Sequence, residues 1–226
     1  MSQTPARRCT RGAVRMTTDC DAGLTHAMDK ARYAVAVMIL ISVPIAIGLW
    51  YAIHPFARAW RRIGAAGTYL VLCVPGIGAG WLIWQWRGAL LGADLGVQPA
   101  LAVPGVAAAV VGAGIARARR RHLTQRILVG VPELSRTDPG RLLTGGIYDR
   151  VRNPRYLEFM AFIVAYACFA NFAGTWVLVL LTFPAMHLLV LLEERELRDR
   201  FGAEYEDYCR RVPRWAPRPG GASPDS

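Results

Sequence analysis

The stretch that decides the fold runs from residue 145 to residue 196. It opens with a polar segment, GGIYDRVRNPRYLEF over residues 145–159, continues through two apolar runs and ends in EERE over residues 193–196. The apolar runs, residues 157–172 and 174–192, are joined by a short turn, so they predict two antiparallel helices lying side by side. The charged groups before the first helix and after the second therefore meet at one end of this hairpin.

The composition places the chain among membrane proteins. Of its 226 residues 54% are hydrophobic, and the mean hydropathy is +0.25, too apolar for an ordinary soluble domain of this size. Its 27 basic residues exceed its 16 acidic ones and give a net charge of +11. Because the basic segments alternate with apolar runs, they indicate loops beside an anionic bilayer, and we predict no nucleic-acid partner.

Three further apolar runs precede the hairpin. Residues 33–53 and 63–86 are each long enough to cross about 30 Å of hydrocarbon. Residues 98–116 form an Ala-rich run that contains two prolines, and whether it crosses or re-enters is open. The sequence thus predicts an all-α polytopic membrane protein of about five transmembrane helices, with a C-terminal hairpin and a cytoplasmic amphipathic helix over residues 195–211.

The predicted organisation has four parts. A disordered polar tail over residues 1–32 precedes the N-terminal transmembrane helices over residues 33–116. A third region follows over residues 117–215 and consists of a basic loop, the hairpin and the C-terminal helix. Residues 216–226 form a second disordered tail.

The distribution of arginine predicts the orientation in the membrane. With five spans, most of the 27 basic residues fall on the side that carries the polar segment and the EERE run. The positive-inside rule places that side in the cytoplasm, and this holds also if residues 98–116 only re-enter. We therefore expect a multi-pass protein of the cell membrane whose polar segment and EERE run face the cytoplasm.

Metal chemistry has no support in the sequence. The five cysteines include no C-x-x-C pair, and the four histidines are scattered without the spacing of a zinc site. We predict no metal.

The order of motifs resembles the C-terminal half of the isoprenylcysteine carboxyl methyltransferase and phospholipid methyltransferase family. Members carry G-x-Y-x-x-x-R-[HN]-P-x-Y, a helical hairpin, a Glu-Glu pair, F-G-x-x-Y-x-x-Y and a closing V-P-R. The matching residues here are Gly146, Tyr148, Arg152, Asn153, Pro154, Tyr156, Glu193, Glu194, Phe201, Gly202, Tyr205, Tyr208 and residues 212–214. Asn153 stands where many members have His, and Glu158 stands where many have Gly.

The resemblance implies a methyltransferase that uses S-adenosylmethionine and acts on a lipidic or amphiphilic acceptor within the bilayer. Residues 117–215 would then be its catalytic region, with a cytoplasmic catalytic face. It implies the cofactor-binding residues Tyr148, Arg152, Asn153, Pro154, Tyr156, Leu157, Glu193 and Glu194. The candidate catalytic residues are Arg152, Glu158 and His187.

Each assignment has a structural alternative. Asn153 before Pro154 is typical of a helix N-cap, and an ionisable group such as Glu158 within an apolar run is either functional or paired, with Arg152 or Arg155 as the expected partner. His187 is either an acceptor-side base or a hydrogen-bonded core residue. For the whole protein, an NADPH-dependent reductase similar to the sterol reductases and a non-catalytic membrane protein of the same fold remain open.

Overall fold

The computed structural model describes residues 9–121 and 141–216, which form helices connected by short loops. The predicted all-α polytopic fold is confirmed. Over these residues the α-helices are α1 (Cys9–Ile53), α2 (Ala57–Trp60), α3 (Gly64–Leu91), α4 (Ala102–Arg120), α5 (Pro154–Ala170), α6 (Ala173–Phe201) and α7 (Ala203–Arg211). Single 3-10 turns occupy His54–Phe56, Pro99–Leu101 and Gly146–Asp149.

Four helical stretches of the described residues are long and apolar enough to cross a membrane. They are Gly23–Phe56, Gly64–Leu91, Pro99–Arg120 and Ala173–Phe201, one fewer than the five predicted. The run predicted as the fourth span forms α5, whose 17 residues extend only about 25 Å at a rise of 1.5 Å per residue. The uncertain run at residues 98–116 instead forms part of a helix of spanning length.

α5 lies at the centre of the helix bundle. Its residues Ile163 and Ala167 pack with Ile39 and Val43 of α1 and Val179 of α6. Every one of these side chains is buried, so three helices share one apolar core.

α4 packs closely along α5 in the antiparallel direction. Gly105 lies against Cys168, where an added Cβ would approach the Cys168 Cβ to 2.9 Å, and Gly112 lies against the Phe162 ring. Further along, the Arg119 guanidinium pairs with Glu158. Small residues let two helix backbones approach this closely.

The predicted helical hairpin is confirmed in α5 and α6. Asn171 ends α5 in the left-handed conformation at φ 52°, and its side chain accepts a hydrogen bond from Trp176 Nε1 and donates one to the Gly96 carbonyl. The start of α5 and the end of α6 therefore lie together at one end of the bundle, which we call the motif end.

The opposite end of the bundle corrects the prediction for the N-terminus. Residues 1–32 were predicted to be a disordered tail, but α1 is helical from Cys9, while residues 1–8 lie outside the described part. Arg32 explains part of the difference: it is 2% exposed, donates to the Ala170 carbonyl and pairs with Asp94. A helix already nucleated in the following apolar span extends at little cost when tertiary contacts support it.

The C-terminal helix is also divided differently from the prediction. α6 continues through the EERE run to Phe201, and Gly202, at φ 54°, separates it from α7. Tyr205 and Tyr208 of α7 are buried against Leu142 and neighbouring apolar residues. The predicted disordered tail falls, apart from residue 216, outside the described residues.

Candidate active site

The polar segment at the motif end is held in place by α7 and by the chain that follows it. The Arg152 N–H donates to the Pro213 carbonyl at 3.0 Å, and Arg152 Nη1 donates to the Cys209 carbonyl at 2.9 Å. The Tyr208 hydroxyl donates to the Tyr148 carbonyl at 2.7 Å. These bonds fix the loop that leads into α5.

Glu194 is a fully buried carboxylate, with 0% of its side chain exposed. Arg214 binds it in bidentate geometry, with Nε at 2.9 Å and Nη2 at 2.7 Å, and Arg152 Nη2 lies at 3.2 Å from Oε1. The hydrogen bonds that Arg214 donates to Glu194 raise the pKa of Arg214 above its usual range. A buried charge is tolerated only when it is paired in this way, so Glu194 joins α6, the start of α5 and the chain after α7.

Asn153 occupies the N-cap position of α5, but its side chain makes no capping hydrogen bond, contrary to the prediction. Its Nδ2 instead lies 3.4 Å from Glu194 Oε1 and 3.4 Å from the Arg214 carbonyl. The ionised carboxylate is the stronger acceptor and draws the amide away from the helix terminus. Pro154 at the first helical position begins α5 as predicted.

A cleft lies at the motif end beside these bonds, and we call it the polar cleft. Its lining includes polar and aromatic side chains that a ligand could contact, among them Tyr148, Arg152, Asn153, Tyr156, Glu193 and Tyr205. The Tyr156 hydroxyl donates to Glu193 Oε2, and Arg152 Nε is buried without a hydrogen-bond partner. Burial raises the pKa of Tyr148, so its hydroxyl stays protonated at neutral pH.

A second cavity of about 350 Å³ lies between α1, α5 and α6, and we call it the apolar cavity. Ile39, Phe159 and Met186 contribute to its mostly hydrophobic wall. Arg155 and Tyr156 line both this cavity and the polar cleft. The side chains of two adjacent residues thus separate a polar compartment from an apolar one.

Two arginines with fixed contacts lie at the polar end of the apolar cavity. Arg119 binds Glu158 in bidentate geometry at 2.7 and 3.0 Å, so the partner of Glu158 is neither of the arginines expected from the sequence. Arg155 lies over the Trp50 ring at 4.3 Å. Glu158 is therefore a paired carboxylate beside the apolar cavity.

The structure brings six of the ten predicted site residues together and places the other four, Glu158 of the apolar cavity among them, outside the polar cleft. Tyr148, Arg152, Asn153, Pro154, Tyr156 and Glu193 line the polar cleft. Glu194 lies behind its wall and lines none of the described cavities, and Leu157 lines neither the polar cleft nor the apolar cavity. His187 is exposed on α6, with its ring 6.0 Å from that of Trp215.

Sequence reasoning missed two contributors, Arg214 and Arg119. Arg214 belongs to the closing V-P-R motif, so its place in the motif order is the signal that could have identified it. Arg119 is one of several arginines in a basic segment, and nothing in that segment distinguishes it from its neighbours.

One protein-family model matches the region that contains most of this site. The model of the phospholipid methyltransferase family matches residues 102–204, from the start of α4 to the start of α7. This part of the chain is similar to that family. No curated protein and no solved structure matches the chain. The similarity supports methyltransferase activity in a membrane protein.

Proposed function

We propose that the protein transfers a methyl group from S-adenosylmethionine, bound in the polar cleft, to an amphiphilic acceptor whose hydrophobic part occupies the apolar cavity. The observation that carries this proposal is the shared wall of Arg155 and Tyr156. A polar compartment and an apolar one that meet at two side chains suit a reaction between a water-soluble donor and a lipid-like acceptor.

The residues of the polar cleft fit the donor group by group. The unpaired Arg152 Nε and the first turn of α5, which the Asn153 side chain does not cap, suit a carboxylate. Glu193, which accepts a bond from Tyr156, suits an ammonium or a ribose hydroxyl. Tyr148 and Tyr205 offer aromatic faces that attract an adenine ring or a cationic sulfur.

The donor, when bound, supplies an electrophilic methyl group on a sulfonium. The contribution of this chain is to align donor and acceptor and to exclude water, which is the main source of rate in such a displacement. Arg155 and Tyr156 stand where the two compartments meet, and the ion pair of Arg119 with Glu158 holds α4 against α5 beside the acceptor.

The polar cleft must widen to admit the donor. Its volume is about 110 Å³, below the roughly 300 Å³ at the lower end for small-molecule sites. Leu142 and Leu143 line the cleft from the loop before the Gly146–Asp149 turn. We expect this loop to move outward on binding. The basic residues around the motif end support its cytoplasmic location, where the donor is available.

Incubation of membranes with methyl-labelled S-adenosylmethionine tests the proposal. We expect label in the lipid extract when the wild-type protein is present and little label with Glu193→Gln. Glu204→Gln, which removes an exposed carboxylate of α7 outside the cleft, is the matched control and should keep wild-type labelling. Thermal stabilisation by NADPH in place of S-adenosylmethionine would instead identify a reductase and refute the proposal.

A further inference from the structure

A third cavity of about 340 Å³ lies on the outer side of α6 at the motif end. One wall is the corner at His54 and Pro55 that follows α1, and the other is the final turns of α6, which include Glu196 and Arg200. We call it the corner cavity. It shares Arg200 with the polar cleft but contains none of the residues assigned to the donor.

Three residues that line this cavity carry buried polar atoms without hydrogen-bond partners. His54 is 5% exposed, and neither of its ring nitrogens has a hydrogen-bond partner, although the ring is held by stacking on Trp50 at 5.2 Å. Glu196 Oε2 and the Nε and Nη1 atoms of Arg200 are buried without partners as well. Buried polar groups are nearly always hydrogen-bonded, so five such atoms around one cavity indicate a missing ligand or trapped water.

The charged residues of the corner cavity indicate the charge of its ligand. Arg61, Arg195 and Arg200 face Glu196 and Asp199, which leaves one positive charge in excess with His54 neutral. Glu196 Oε1 is held by Arg61 at 2.7 Å and lies 3.8 Å from Arg200. Guanidinium groups match the oxygens of a phosphate, and Glu196 Oε2 can accept from a hydroxyl next to it.

The position of the corner cavity favours a lipid over a free ion. The apolar stretch Gly23–Phe56 ends beside it, and the apolar part of α6 ends at Leu192, which lines it. Next to the corner, the side chains of Phe56 and Ile63 are 59% and 50% exposed. A headgroup in the cavity therefore has an apolar surface beside it for its acyl chains.

We infer that the corner cavity binds the phosphodiester headgroup of an anionic membrane lipid that carries a hydroxyl. The site does not depend on methyl transfer, and the lipid bound there is not the acceptor. Anionic lipids are concentrated in the cytoplasmic leaflet, on the side where the basic residues of this chain place the motif end.

Titration of the detergent-purified full-length protein with dihexanoyl phosphatidylglycerol, followed by native mass spectrometry, tests the inference. We expect saturable binding of one lipid in the wild-type protein. His54→Phe keeps the stack on Trp50 but removes both nitrogens, and Arg195→Gln removes an exposed charge of the cavity; each should weaken binding at least tenfold. Arg117→Gln removes an exposed arginine from the same end outside the corner cavity and should bind as the wild type does.

The other outcomes overturn the inference. Equal binding by His54→Phe, Arg195→Gln and wild type would mean that the lipid binds elsewhere. Inorganic phosphate that competes as well as the lipid would reveal a site for the free anion, and equal binding of dihexanoyl phosphatidylcholine would remove the selection for an anionic headgroup. No binding in any variant would leave water as the occupant. The melting temperature without lipid controls for misfolding, and Arg195→Gln covers the case in which His54→Phe does not fold.

Discussion

Replacing Glu194 by Gln removes the negative charge on which three parts of the chain converge. The carboxylate is fully buried and accepts both bonds of the Arg214 guanidinium at 2.9 and 2.7 Å, with Arg152 at 3.2 Å. Removal of one partner from a buried ion pair costs about 3–5 kcal/mol. Gln retains one acceptor oxygen and nearly the same shape, so we expect a loss of about 3 kcal/mol, at the low end of that range.

The neighbouring replacement, Glu193→Gln, should behave differently although the two residues are adjacent. Glu193 faces the polar cleft and binds Tyr156, so its replacement should lower donor affinity at least tenfold, about 1.4 kcal/mol. Its effect on unfolding should stay below about 1 kcal/mol, because Gln keeps an oxygen that can accept from the Tyr156 hydroxyl.

Melting curves with and without S-adenosylmethionine separate the two effects. Glu194→Gln should lower the melting temperature of the ligand-free protein by about 6–12 °C, whereas Glu193→Gln should change mainly the stabilisation by the donor. Glu204→Gln serves as the control for loss of an exposed carboxylate. If Glu194→Gln melts like the wild type but loses donor binding as Glu193→Gln does, then Glu194 contacts the donor directly and the structural role assigned to it is wrong.

Four further predictions concern packing, the site, pH and orientation. Gly105→Ala should destabilise the protein by about 1–3 kcal/mol in chemical unfolding, since its Cβ would lie 2.9 Å from a side-chain carbon of α5, whereas Gly114→Ala, with nothing within 4 Å, should be neutral or stabilising. Tyr156→Phe should weaken donor binding in calorimetry and lower the melting temperature by no more than about 4 °C, because it removes only the hydroxyl bonded to the carboxylate of the cleft. Asp94→Asn should lower the melting temperature at pH 7 and reduce the further drop in melting temperature between pH 7 and pH 3. Desolvation opposes ionisation of Asp94, but a backbone N–H and the buried arginine of α1 lower its pKa in the folded protein. The ionised carboxylate therefore stabilises the protein above the unfolded-state pKa of 3.8, and this stabilisation is lost as the pH falls through the folded-state pKa. A reporter fused after Ser226 should be active in the cytoplasm, and activity only outside the cytoplasm would contradict the proposed orientation.

The sequence alone determined the features that depend on local composition and chain order. Two apolar runs with a short turn between them are enough to specify an antiparallel hairpin, and Pro154 marks the start of its first helix. The family motifs lie in order along the chain, so their meeting at one end of the hairpin could be predicted.

Tertiary structure alone decided which way each side chain faces. Glu193 and Glu194 differ by about 100° around one helix, and only the packing of α6 against α5 decides which of them enters the polar cleft and which one is buried. Asn153 turns from its helix to Glu194, 41 positions away, and Glu158 pairs with Arg119, 39 positions away. Local sequence cannot encode these choices, because each depends on the position of a charge that another helix brings within hydrogen-bonding distance.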